Sequence, residues 1–192
     1  AHRKMKKCLA GILLFSNMAL ATQMSGFGAD YYESDKPPPV QEYQTQQDLT
    51  PEIIVGDELY TLEMSRLSDI SRSTGVEVNQ GEQASWLCLR AGNTNYWFIS
   101  NNEMGHGALT AIGLAREGEQ KECAAWHGDV RVRVKDWPLL SMPVDRLGEN
   151  EQGVQYCKET PLGDEYSQLN CLRYDIADKK VSGVFVFQVT AN

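Results

Sequence analysis

Ser85-Trp86-Leu87-Cys88-Leu89-Arg90, Ala91-Gly92-Asn93-Thr94 and Asn95-Tyr96-Trp97-Phe98-Ile99-Ser100 follow one another without interruption. Two runs rich in aromatic and aliphatic residues flank four residues with the chemistry of a tight turn, so the stretch reads as a β-hairpin. Successive side chains on a strand point to opposite faces. If Trp97 enters a core, Tyr96 and Phe98 point the other way, and one face of the hairpin is then exposed and aromatic, the material of which interface hot spots are made. The rival reading covers that face with a helix or with the arm that precedes the domain. A third strand is expected over Ala108 to Ala115. It is joined to the hairpin by Asn101-Asn102-Glu103-Met104-Gly105-His106-Gly107, whose glycines suit an exposed connection.

Upstream, Leu59, Leu62, Leu67 and Ile70 recur at helical intervals and Gly75 supplies a stop, which predicts a first helix. Downstream, Val130, Val132 and Val134 alternate with Arg131 and Arg133, as in a half-exposed strand with its basic side in water. Ser141 to Gly148, with Pro143 near its start and glycine at its end, predicts a second short helix. Strands are expected at Val154 to Lys158, Leu169 to Ile176 and Val181 to Val189. The halves can be superposed: Gly75 on Gly148, Cys88 on Cys157, and Leu109 to Leu114 on Val181 to Val186. The resulting expectation is an α+β fold of two tandem units, each a short helix packed on an antiparallel sheet, over residues 51–128 and 129–192. The alternative is an accidental match between two unrelated segments.

The N-terminal residues carry a different signal. Arg3, Lys4, Lys6 and Lys7 form a basic region, Cys8 to Leu20 is mostly apolar, and Ala19-Leu20-Ala21 offers the small residues of a signal-peptidase site. A signal peptide over 1–21 is expected, with Met5 as its natural start. The apolar run is too short for a membrane anchor, which needs about 20 residues, so no stable membrane insertion is expected after cleavage. Residues 22–50 read as a polar, proline-rich tether around Pro37-Pro38-Pro39, with Tyr31, Tyr32 and Tyr43 able to dock on the domain or on a partner.

The chain holds 18 basic and 26 acidic residues, and four of the basic ones lie in the leader, so the mature protein has a net charge of −12. That balance repels phosphate backbones and disfavours nucleic-acid binding, while it steers association with cationic partners or simply maintains solubility. Four cysteines remain after cleavage, Cys88, Cys123, Cys157 and Cys171. An even number in an exported chain predicts two disulfides, with three possible pairings. The tandem repeat favours Cys88 with Cys123 and Cys157 with Cys171. No close C-x-x-C spacing supports zinc, and no metal site is expected.

Export, acidity, two helix-on-sheet units and one local disulfide in each together resemble the secreted β-lactamase inhibitor proteins, and a single unit also resembles the small outer-membrane-assembly lipoprotein fold. The resemblance covers residues 55–190 as architecture and has no diagnostic motif. It implies a rigid sheet that presents loops and aromatic side chains to another protein, and it transfers no individual residue.

Catalytic signatures are sparse. His106 and His127 are the histidines of the mature chain, no G-x-S-x-G elbow accompanies them, and no phosphate, dinucleotide or calcium loop is present. Cofactors are not implied and no catalytic residue is assigned. Of the carboxylates, Glu103 alone sits in a glycine-rich loop beside a histidine. The partner-binding candidates are therefore Tyr96, Phe98, Glu103, Met104 and His106. Three functions fit: a periplasmic or secreted inhibitor or immunity-type protein that blocks a cationic enzyme or toxin, a cell-envelope accessory or assembly factor, and a hydrolase of unfamiliar type built on His106 and Glu103.

Overall fold

A computed structural model describes residues 40–116 and 123–192. The expected signal peptide, most of the tether and the acidic stretch 117–122 lie outside the described residues. The elements in chain order are β1 (Gln41–Gln44), β2 (Pro51–Val55), β3 (Glu58–Tyr60), α1 (Leu67–Thr74), β4 (Asn79–Gln80), β5 (Ala84–Ala91), β6 (Thr94–Asn101), β7 (Ala111–Arg116), β8 (Ala124–Ala125), β9 (Val130–Val134), a single 3-10 turn (Val144–Leu147), β10 (Gly153–Leu162), β11 (Tyr166–Ala177) and β12 (Lys180–Ala191).

The fold is mostly β, and the expectation of two tandem helix-on-sheet units is wrong. Nine strands form one mixed sheet in the order β1-β10-β11-β12-β7-β6-β5-β4, with β8 also paired to β5, and β3-β2-β9 form a second, small sheet. Three physical reasons account for the error. The first expected helix combined residues of separate elements: Leu59 is an exposed residue of β3, Leu62 is buried in a turn, and only Leu67 and Ile70 belong to α1, which ends at Gly75 with φ 75° and its N–H on the Ser71 carbonyl. The second expected helix is one 3-10 turn entered from Pro143. With Leu147 as the one buried residue of those four, it has no apolar stripe to support further turns.

The third reason concerns the superposition of Leu109–Leu114 on Val181–Val186. These stretches look alike because they are neighbours in one sheet: Val184 pairs with Leu114, Phe185 with Gly113 and Val186 with Ile112 in antiparallel register. Their similarity reflects a shared environment, and the β7–β12 pairing fuses the two supposed halves into one continuous sheet.

The hairpin forms as expected, with Cys88 opposite Trp97 and Leu87 opposite Phe98. Its outer face is not exposed. Leu87, Leu89 and Phe98 lie in the main core with Ile112, Leu172 and Val186, under β2, β3 and α1. Trp86, Cys88, Trp97, Ile99 and Phe185 form a second cluster with Cys123 on the opposite face. A strand buried on both faces reads as a continuous apolar run rather than an alternation, and Trp86-Leu87-Cys88-Leu89 is such a run. By contrast, β9 is the edge of the small sheet and keeps its alternation: Val134 is buried while Arg131 and Arg133 are exposed.

Both disulfides are present, Cys88–Cys123 and Cys157–Cys171. The second joins facing residues of β10 and β11. The first holds the chain beside β5, where β8 pairs in parallel with Leu89 and Arg90. They are different devices, not copies in a repeat. Closing a loop of this second size stabilises a fold by about 3 kcal/mol through the unfolded chain. At the far edge of the main sheet, β1 runs parallel to β10, Tyr43 stacks on Tyr156, and Leu49 is fully buried, so the expected tether enters the fold from Gln41 onward.

Candidate functional site: a double turn at one end of the main sheet

The connection from β6 to β7 is a built structure. The Gly105 N–H donates to the Asn101 carbonyl at 2.7 Å, the Glu103 N–H to Asn101 Oδ1 at 2.9 Å, and the Gly107 N–H to Ser100 Oγ at 3.0 Å. Asn102 donates from Nδ2 to the carbonyls of Gly81 and Glu82. A Cβ on Gly105 would lie 2.5 Å from Ser100 Oγ and 2.9 Å from the Asn101 carbonyl oxygen, so glycine is required by the turn's own packing. Gly107 has φ 91°, and the space a Cβ would take there holds the Arg66 guanidinium, which donates to the His106 carbonyl at 2.9 Å. The two glycines therefore close the turn on itself rather than opening room for a ligand.

A second turn, residues 61–65, is joined to the first by backbone bonds. The Glu63 N–H donates to the Leu109 carbonyl, the Leu109 N–H to the Ser65 carbonyl, and the Leu67 N–H to the Gly107 carbonyl. Glu63 sits at φ 65°, a left-handed conformation costly for a side chain of this kind. Its carboxylate accepts from Gln188 Nε2 at 2.8 Å, Thr190 Oγ1 at 2.7 Å and Thr190 N–H at 3.1 Å, which ties both turns to the end of β12.

On this scaffold Glu103, Met104 and His106 are exposed, as is Met64 on the joined turn, 81% exposed against 49% for Met104. Met64 escaped the sequence reading because it lay inside the expected helix, where one exposed methionine carries no message. The signal that was available is Glu63-Met64-Ser65-Arg66, polar at three of four positions, which separates Leu62 from Leu67 and interrupts the helical spacing. No hydrogen bond joins His106 to Glu103 or to a hydroxyl among the described residues.

The other two candidates lie elsewhere. Phe98 is fully buried in the core. Tyr96, on the same face of β6 but nearer the hairpin turn, is half-buried in the wall of a cleft of about 790 Å³ between the two sheets. Burial holds its phenol above the ordinary value of 10.0, against the opposing hydrogen bond to Thr94. Leu114, Val132, Val134 and Leu139 give the cleft an apolar floor, and Arg116, Arg133 and Trp137 surround it. A smaller hollow of about 420 Å³ continues past Arg116 and Leu140 to Lys179 and Lys180.

No family model, no curated protein and no solved structure matches the chain. Among the described residues no helix is long and apolar enough to cross a membrane, and no three His, Cys, Asp or Glu side chains cluster as metal ligands would.

Proposed function

We propose that this is an exported, periplasmic or secreted binding protein that docks on another protein through the double turn, acting as an inhibitor or immunity-type protein rather than as a catalyst. The observation that carries the reading is the pair Met64 and Met104, two exposed thioethers on turns locked to each other and to β12 by hydrogen bonds. Methionine is flexible and polarisable and adapts to an apolar pocket, while a rigid backbone beneath it limits the entropy lost on binding. Glu103 beside Met104, on a chain of net charge −8, suits a cationic rim on the partner. The two disulfides fit an oxidising compartment.

The test compares parent protein with the Met64→Ala/Met104→Ala variant as immobilised bait for an envelope extract, followed by calorimetry on the captured partner. A central anchor is worth about 2 kcal/mol or more, so the double variant should bind about thirtyfold more weakly or worse. Its melting temperature should be that of the parent. Equal capture and equal affinity would end the reading.

A further inference from the structure

The cleft at the opposite end of β6 is independent of the double turn, and its chemistry is one-sided. Among the described residues no carboxylate lines it, while Arg116 and Arg133 do. Neither guanidinium forms an ion pair with a described residue, and the hydrogen bond from Arg116 to the Leu140 carbonyl is long at 3.4 Å. Behind the two cations the wall turns apolar at Leu114 and Leu139. Asn93, Thr94 and Ser141 also line it, and two further groups there can donate: the Tyr96 phenol stays protonated at neutral pH, and the Trp137 indole N–H is buried without an acceptor among the described residues. The wall is held in place from behind, since the backbone N–H of Trp137 donates to the Val134 carbonyl and the Tyr174 hydroxyl to the Pro138 carbonyl. A volume of about 790 Å³ falls within the range of small-molecule sites.

We propose that this cleft binds a small amphipathic anion, with a carboxylate or similar head between Arg116 and Arg133 and an aliphatic body against Leu114, Leu139 and Trp137. Two guanidiniums in fork geometry recognise such a head by charge-assisted hydrogen bonds, and the apolar floor rewards the tail in proportion to the area it removes from water.

The experiment is calorimetric titration of the purified, disulfide-bonded chain with octanoate, 1-octanol and octylammonium. Octanoate should bind saturably at one site, with the alcohol and the amine weaker by about tenfold or more. Arg116→Gln/Arg133→Gln should weaken octanoate by about tenfold or more, whereas Arg131→Gln, on the same strand but away from the cleft, should leave it unchanged. Because both arginines are exposed, circular dichroism of the variants should match the parent. Met64→Ala/Met104→Ala should bind octanoate like the parent, which separates this site from the docking surface. Equal affinity for octanoate and octanol, absence of saturable octanoate binding, or indifference to the arginine pair would each overturn the proposal.

Discussion

Strand β6 ends in two places that are built by opposite means. At its Asn101 end, polar side chains and backbone groups saturate one another: Asn101, Asn102, Ser100, Thr110 and Glu63 fold two turns into one unit, which exposes Met64 and Met104 together with Glu103 and His106. At its Thr94 end, apolar side chains line an open cleft, where a pair of arginines forms no ion pair with a described residue. The first end has its hydrogen bonds spent internally and its side-chain tips exposed, which suits presentation to a larger partner. The second is concave and has donors to spare, which suits a small ligand. Between them lies Phe98, which takes part in neither because β2, β3 and α1 close over it.

The largest effect expected from this contrast concerns the middle of the strand. Phe98→Ala should lower unfolding free energy by about 3–5 kcal/mol through cavity formation. Met104→Ala should stay within about 0.5 kcal/mol, as for other exposed positions. Urea denaturation of the two variants measures both. A mild Phe98→Ala result would return that ring to the surface and undo the division into two ends.

An intermediate effect belongs to the turn end. Glu63→Ala removes an ionised acceptor of three hydrogen bonds and should cost about 1.5–3 kcal/mol. Glu63→Gly should be milder by about 1 kcal/mol, since glycine relieves the left-handed backbone while losing the same bonds. Amide hydrogen exchange should show lost protection at Leu109 and Thr190 and none at Leu114 or Val132. Uniform loss across both ends would show that the ends are not separate units.

The smallest effect belongs to the cleft end. Tyr96, Tyr156 and Tyr174 all lie on that side, and burial raises each phenol above the ordinary value of 10.0; Tyr156 further raises Tyr174, and Tyr43 raises Tyr156. The sign follows directly. Above pH 10 the unfolded chain releases these protons while the folded chain keeps them, so stability falls as pH rises and is unaffected below that window. Tyr174→Phe should cost about 1 kcal/mol at neutral pH, from the lost bond to Pro138, and should make the alkaline fall shallower. Urea midpoints between pH 8 and 11 measure both.

Much of the local structure was legible. The 85–100 hairpin, the alternation of β9, the stop at Gly75 and the strands β10 to β12 follow from patterns contained within a few residues. The disulfide pairing was anticipated through a repeat that does not exist; what decides it is cross-strand register for Cys157 and Cys171, and the return of the chain to β5 for Cys88 and Cys123. Of the candidate site, Glu103, Met104 and His106 were legible as an exposed turn. Met64 was not, because its relation to Met104 passes through hydrogen bonds between residues about 40 positions apart. Tyr96 was legible as a special aromatic but was grouped with Phe98, since side-chain alternation alone cannot distinguish a residue under a second sheet from one at its open edge.

By itself, the sequence determined the central hairpin, the strands β7, β9 and β10 to β12, the stop at Gly75, and that four cysteines pair. Those outcomes depend on backbone preference, turn chemistry and thiol count, all of which act locally or need no geometry. Only the tertiary structure decided that β12 lies beside β7, that both faces of the hairpin are buried, and that two turns meet at one end while a cationic cleft opens at the other. Apolar strands such as Leu109–Leu114 and Val181–Val186 are interchangeable as partners in pattern. The choice among them is made by the burial of the whole sheet against β2, β3 and α1, a property that no short stretch of chain carries.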